Sequence, residues 1–577
     1  MASSSDDRKG SSTDASVMVH MTAPSDDNEG GSIKASVRPS WLKIVFSDSI
    51  LTKEVIEHHY NGSGTDDDPY IVRWLENDVL DPKNYSLVVK WSLTQILAFS
   101  FLCVSFLSSA YTGGITEIEA EYGGSSALNS LGVGFFVLGF AVGPFLWAPL
   151  SEHYGRRNVF VGTYFMATAF NVGVAASQNL TSILVLRFFA GLFGSSPITN
   201  SGGAVTDMFE AEERGLALTV FSVAPFLGPV LGPIIGGFVG AGAGWRWLMG
   251  LLAIMTGCTW IMGTIFVPET YSPVLLRRRA LKLSKLTGKV YMSPFDSTSA
   301  QKSLLPHLWS VFSKPWALLT EPIVLLLSVY LAIVFGTLYL LFAAYPIVYA
   351  QDRRWPQGIS GLPFIGILIG NLSALAFSFV LNKRYVALAK THQSNGTRTP
   401  PEARLPPCLI GCIFIPIGLF WFAWTNSPSV HWIASIAAGA PFGFGLVCVF
   451  MGITNYLVDA YTIYAASVLA GGAVLRGIFA VVFPLFTTKM YENLGIHWAS
   501  SVPGFMAVAC VPFPYIFYRY GEAIRARCRY AAQAEAALQA LRTSNVPASS
   551  ETAPNADSQI SNVGASSEKA RTAEGEV

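Results

Sequence analysis

Long apolar runs separated by short polar joints dominate the chain. A helix that crosses a bilayer needs about 20 apolar residues. Runs of that length fall at 91–111, 128–148, 158–177, 181–203, 215–240 and 245–267. Six more follow at 320–347, 359–381, 406–425, 432–457, 462–488 and 498–518. Between the sets lies Pro268–Pro315, polar and basic, with Arg277, Arg278, Arg279, Lys282, Lys285 and Lys289. The pattern predicts an all-α integral membrane protein of twelve transmembrane helices in two six-helix bundles. Its parts are an amino-terminal region (1–90), a first bundle (91–267), a central loop (268–317), a second bundle (318–519) and a tail (520–577).

The polar segments add detail at both ends. Met1–Ser40 is rich in Ser, Asp and Gly and reads as disordered, and the amino-terminal region as a whole is expected to follow it. Trp41–Tyr60 fits a short amphipathic helix only loosely. Tyr530–Val577 begins as an Ala-rich helical run and ends in Ser, Ala and Glu.

Charge orients the helices. Arg156, Arg157, Arg214, the Arg277–Lys314 cluster, Lys383, Arg384, Lys390, Arg398, Arg404 and the arginines after 518 share one face of a twelve-helix layout. The opposite face holds Arg353, Arg354 and the acids Glu117, Glu119 and Glu121. The positive-inside rule makes the basic face cytoplasmic and puts both termini inside. No apolar run of signal-peptide type occurs in the first ~85 residues, so insertion falls to the first spanning helix.

Composition narrows the class. The 577 residues are 51% hydrophobic and 13% charged, against roughly 25% charged in soluble chains. A net charge of +1 gives no reason to expect nucleic acid as a partner; the partners expected are the lipid bilayer and a small molecule, with the chain acting as a monomer. The seven cysteines lie mostly inside apolar runs. Cys408 and Cys412 are one turn apart without a His or second Cys pair, so no metal site is read from them. No nucleotide loop, nucleophile elbow or haem signature appears, which argues against an enzyme.

Two long apolar runs meet at Ala148-Pro-Leu-Ser-Glu152-His-Tyr-Gly155-Arg156-Arg157, which leaves room only for a tight charged reversal. The order Ala-x-Leu-x-Glu-x-x-Gly-Arg-Arg resembles the loop between helices 2 and 3 of the major facilitator superfamily, with Glu152 where most members carry Asp. The flanking Leu-Trp-Ala-Pro-Leu-Ser-Glu is similar to the fungal twelve-helix drug:proton antiporter branch. Asp81-Pro-Lys-Asn-Tyr-Ser86 resembles the segment before helix 1 there, with Tyr in place of Trp. The resemblance covers roughly residues 74–525. It implies the fold of that superfamily, two parallel halves built from inverted repeats, and assigns Glu152, Gly155, Arg156 and Arg157 to gating. The alternative is a topogenic loop without a switching role.

Further motifs fall in the helices. Arg187 starts Arg187-Phe-Phe-Ala-Gly191 in helix 4, similar to the superfamily's Arg-x-x-x-Gly signature associated with proton coupling. An arginine inside a span costs about 2.5–3.5 kcal/mol on insertion scales and must face protein or water; coupling or structural pairing competes with snorkelling to the interface. Helix 5 reads Gly228-Pro229-Val-Leu-Gly232-Pro233-Ile-Ile-Gly236-Gly237, which resembles the antiporter signature. Glycines four apart let another backbone approach closely, and a packing seam is the plain alternative. Asp207-Met-Phe-Glu210 through Arg214-Gly215 resembles the family's next cytoplasmic loop and is expected to complement the reversal at 148–157. Gly134–Gly139 in helix 2 echoes Gly366–Gly370 in helix 8.

In the second half Glu321 opens helix 7, Asp459 sits near the inner end of helix 10, and Arg476 lies within helix 11. Intramembrane charge points to function: Glu321 and Asp459 are candidates for proton coupling or for interfacial caps. Arg476, the deepest, is a candidate for an anionic substrate group or a carboxylate partner. Tyr339, Phe342, Tyr345 and Tyr349 form a stripe on helix 7 that is either packing or cavity wall. Tyr339, Tyr345 and Asn455 join Arg476 as cavity candidates. The resemblance implies a proton-coupled efflux transporter working by alternating access in the cell membrane, with a vacuolar or other internal membrane as the alternative, driven by the proton gradient without a cofactor. Its cargo would be a secondary metabolite, organic acid or glycolipid. Broad multidrug or polyamine resistance, uptake, and a transporter-like sensor are the competing readings. Asn179 is the one sequon on the outer face.

Overall fold

The computed structural model describes residues 40–544 apart from 48–49, 222, 297–312, 396 and 398. Among them, eleven helical stretches are long and apolar enough to cross a membrane. In the first half they are helix 1 (Leu87–Tyr122), helix 2 (Ala127–Tyr154), helix 3 (Arg156–Ala175), helix 4 (Leu180–Met208), helix 5 (Ala224–Ala243, preceded by Ala211–Phe221) and helix 6 (Trp245–Phe266). Helix 7 (Pro322–Asp352), helix 8 (Ile359–His392), helix 9 (Pro406–Thr425) and helix 10 (Trp432–Ala460) follow. The eleventh stretch, Ala465–Arg527, is two helices, because Gly495 sits at φ 72° and ψ 165°, outside helical space. Helices 11 (465–494) and 12 (496–527) complete the twelve. Each run expected from the apolar pattern coincides with one of them. Helix 12 continues to Arg527, beyond the boundary at 519, because Tyr515, Phe517, Tyr518 and Tyr520 carry it through the interface.

Two reversals on opposite faces are built alike. Gly155 (φ 98°) joins helix 2 to helix 3, and Gly244 (φ 88°) joins helix 5 to helix 6. A positive φ suits glycine and strains other residues. In each case a distant glutamate caps the following helix. Glu269 accepts from the backbone N–H of Arg156 (2.9 Å) and Arg157 (3.2 Å), and Glu117 accepts from Trp245 N (2.6 Å). An acid there satisfies orphan donors and the positive end of the helix dipole. Asn179 is likewise occupied as a cap, accepting from Ser182 N at 2.8 Å.

Helices 2 and 8 do use glycines alike, but about one turn away from the echo, because Gly134 itself faces Val481 of helix 11. Gly139 and Gly143 of helix 2 press against the backbone of helix 4 at Phe188 and Leu192. Gly366 and Gly370 of helix 8 press against helix 10 at Ile436 and Ala440. The same pair of positions, six helices apart, uses the same small residues for close approach.

One expectation is corrected. Residues 1–39 lie outside the described residues, but 50–86 are not disordered: they form a clasp with the central loop. Helix Ser272–Thr287 of that loop presents Leu276, Ala280 and Leu283 to Val55, Tyr60 and Val72. Strand Tyr70–Ile71 pairs in parallel with strand Tyr291–Met292. Arg279, almost fully buried, holds Asp78 through both oxygens (2.5 and 3.0 Å) and lies 4.7 Å from the Trp74 ring centroid. The apolar residues at 51–75 are too few to fold alone and gain a core only by packing on a helix 200 residues later. The tail fares better: Arg529–Ser544 is helical, and 545–577 lie outside the described residues.

Candidate functional site

On the face that bears the 148–157 reversal, the charged side chains form a closed set. Arg156 donates to Ser151 Oγ (2.7 Å), lies 3.5 Å from Asp207 Oδ2 and sits over the Tyr271 ring. Arg157 donates to the carbonyls of Val267 (3.0 Å) and Thr264 (2.9 Å), at the carboxyl end of helix 6, where the dipole favours a cation. Asp207 thus complements the reversal as its sequence context suggested. Glu152 is exposed and takes no part in the cap. The amino terminus of helix 3 is held instead by Glu269, whose carboxyl is pushed above the ordinary range by burial while four backbone N–H groups oppose the shift. Gly155 has a second reason to be glycine: a side chain there would run into the Glu269 carboxylate.

Arg187 does not snorkel. It is completely buried, with Nε donating to Gly132 O (3.0 Å), Nη1 to Leu107 O (3.0 Å) and Nη2 to Ser108 O (3.2 Å). Tyr111 and Phe136 flank the guanidinium at 4.7 and 4.5 Å. It therefore ties helix 4 to helices 1 and 2. Ser108 continues the chain across the molecule, sharing a 3.0 Å hydrogen bond with the buried Tyr339 hydroxyl of helix 7.

Helix 5 is a seam with two sides. Gly228, Gly232 and Gly236 face the backbone of helix 1 at Ser105, Ser109 and Ala110. Gly237 faces Gln357 and Gly358 of the other half, and a side chain on Gly361 would meet the Pro233 carbonyl. Pro229 and Pro233 lie inside the helix and are buried. Other contacts between the halves continue this line. Gln357 Nε2 donates to Gly113 O (2.7 Å), and Asn371 Nδ2 to Phe226 O (3.1 Å). A Cβ on Gly134 would lie 3.2 Å from Val481, and one on Gly477 2.5 Å from Ala141. These contacts run from mid-membrane to the face opposite the 148–157 reversal.

The second-half candidates separate. Glu321 is buried where helix 7 begins and accepts from Tyr461 OH and from Tyr530 N, both at 2.6 Å. Asp459 is paired with Arg404 at 2.8 Å and lies 3.4 Å from the Tyr385 hydroxyl. Tyr345 is packed among Tyr349, Phe364 and Phe422. Asn455 is exposed. Arg476 lies 5.1 Å from the Phe450 ring centroid, and Phe450 meets Phe226 edge-on across the two halves at 4.9 Å. A cavity of about 740 Å³ opens beside Glu321, between helices 7 and 12 and the carboxy-terminal helix; Arg476 is not part of its wall.

Comparison with known proteins agrees with this architecture. The chain is 58% identical over 504 residues to the Major facilitator superfamily multidrug transporter mdrA of Aspergillus fumigatus, covering 87% of this chain and 82% of that one. It is 46% identical to Efflux pump FUB11 of Gibberella moniliformis, with 90% and 87% covered. It is 47% identical to Major facilitator-type transporter sorT of Penicillium rubens, with 87% and 96% covered. The xylose transporter XylE of E. coli, in a partially occluded inward-open conformation, shares the fold with a TM-score of 0.52 at 17% identity, covering 74% of this chain and 99% of that one. The Major Facilitator Superfamily sequence profile matches residues 97–484, and the chain belongs to that superfamily.

Proposed function

We propose that the protein is a proton-driven efflux transporter that carries a small organic molecule out of the cell by alternating access. The observation that carries this reading is the distribution of contacts between the halves. They seal the membrane from its middle to the face opposite the basic loops, the arrangement of a carrier facing the cytoplasm. The excess of Arg and Lys in the loops on that face supports a cytoplasmic side for the 148–157 reversal, and the relatives named as efflux pumps support the outward direction. The set around Arg156, Asp207 and Glu269 is the cytoplasmic latch, rebuilt when the halves rock. Glu321 carries the coupled proton, since it is a buried carboxylate at the root of helix 7 whose hydrogen bonds reach helix 10 and the carboxy-terminal helix. Asp459, committed to Arg404, is a structural pair.

The test is a comparison of metabolites inside and outside cells with and without the gene, at matched growth. A compound that accumulates inside and vanishes from the medium in the deletion strain, with the same effect from a protonophore, is the expected result. Glu321→Gln is expected to remove the dependence on the proton gradient. A deletion strain with unchanged metabolites but new drug sensitivity would favour broad resistance, the reading suggested by the similarity to mdrA. No change of either kind would remove the efflux reading.

A further inference from the structure

Two cations lie within the membrane spans, Arg187 in the first turns of helix 4 and Arg476 near the middle of helix 11, and their surroundings differ. Arg187 is saturated by three backbone carbonyls. Arg476 is not. Its guanidinium lies 5.1 Å from the Phe450 ring centroid, and among the described residues no carboxylate or carbonyl accepts from it. One turn earlier on the same helix, Gly472 packs closely against helix 7. A Cβ placed there would lie 3.2 Å from Ser328 Oγ and 3.7 Å from Arg476 Nη1, so hydroxyl and guanidinium border one space. Ser328 is 1% exposed, and its hydroxyl has no hydrogen-bond partner among the described residues. Buried polar groups are seldom left unpaired unless something else completes them. No Asp or Glu occurs in the middle of any described span; the acids sit at the helix ends. The centre of the transporter thus holds a free positive charge and no negative one.

We propose that Arg476 and Ser328 form the recognition site for an anionic group on the exported molecule, a carboxylate carried on an apolar or aromatic body. A guanidinium offers a planar fork that matches a carboxylate through two parallel N–H···O bonds. The Ser328 hydroxyl donates a third bond. Phe450 and Phe226, in contact across the two halves, supply the apolar wall for the body of the molecule. The same Phe pair joins helix 5 to helix 10, so a bound anion would lie beside a contact that must break when the halves rock. The proposal rests on the efflux reading, and it names the substrate class for that reading.

The experiment uses the full chain in yeast cells that lack their own drug pumps. Efflux is followed for three probes: naphthaleneacetate, its uncharged isostere naphthaleneacetamide, and the neutral dye Nile red. The wild-type protein is expected to export the acid about tenfold faster than the amide, because the amide is uncharged and turns an NH2 donor towards a fork that needs two acceptor oxygens. Arg476→Gln should lower efflux of the acid about tenfold while changing the amide and the dye less than about twofold. Arg476→Lys keeps the charge without the fork and should fall between. Ser328→Ala should reduce acid efflux in the same direction by a smaller factor, and it provides the test should Arg476→Gln fail to reach the membrane. Equal export of acid and amide, or equal loss of all three probes in Arg476→Gln at matched surface level, overturns the anion site and leaves efflux standing. No efflux of any probe removes the efflux reading and the anion site together.

Discussion

At the scale of the residue, a buried charge is explained by what surrounds it. Arg187 is held by carbonyls in the last turn of Leu87–Ala110, the α-helical stretch of helix 1 that ends in a tighter turn at 111–114, where the dipole is negative, and by the Gly132 carbonyl of helix 2. No smaller or neutral side chain supplies three donors in that fork. Arg187→Ala is therefore expected to remove three hydrogen bonds from a charged donor, at about 1.5–3 kcal/mol each, and to abolish export while the chain still inserts. Thermal unfolding in detergent should show the loss of stability. Normal transport at matched surface expression would remove the assignment. This residue was legible in the sequence, because an arginine inside an apolar run announces itself. Glu269 was not. It stands just past the end of helix 6, where an acid reads as an ordinary loop residue. Only the fold brings it against the first turn of helix 3, 112 residues away from Arg157. The available signal was its place: an acid at a helix end on the same face as a paired-arginine reversal.

At the scale of the element, small residues and local charges decide which helices touch. The glycines of helix 5 were legible as a close-packing pattern, and the structure shows the partner to be helix 1 on one side and the other half of the molecule on the next. The clasp between 50–86 and the central loop was hidden for a different reason. Its apolar residues are sparse and carry no regular period, so neither partner looks folded by itself. Arg279 and Asp78 hold the two together as a buried pair, with side chains 1% and 6% exposed. Removing one member of a buried pair leaves the other charge without compensation, at roughly 3–5 kcal/mol. Arg279→Ala is thus expected to release the segment, read as new protease cleavage between residues 58 and 68 in the membrane-embedded protein. Arg279→Ala and wild type cut at the same rate would show that the clasp is held by its apolar core alone. The neighbouring Arg278, which reaches Tyr154 O at 3.0 Å, ties this clasp to the 148–157 reversal. Its release should therefore also slow transport.

At the scale of the whole molecule, the count of twelve helices and the division into halves came directly from the apolar pattern, because each span must be continuous in sequence. Which face is sealed did not, because the sealing contacts join residues such as Ser108 and Tyr339, or Gly113 and Gln357, that are more than 200 positions apart. The seal makes a definite demand on the transport cycle: the contacts between helices 2 and 11 must part for the opposite face to open. Gly134 and Val481 allow that demand to be tested. A Cβ on Gly134 would lie 3.5 Å from the Val481 Cβ, within the span a disulfide needs. The pair Gly134→Cys and Val481→Cys is expected to cross-link on mild oxidation and to arrest efflux, with activity returning on reduction. Each single variant should transport under both conditions, which controls for the native cysteines, most of them buried. If the cross-linked protein exports at the wild-type rate, helices 2 and 11 do not separate during the cycle, and two halves rocking about a central site cannot be the mechanism. If it is arrested while the clasp variant Arg279→Ala merely slows, the seal is the moving interface and the clasp only tunes it.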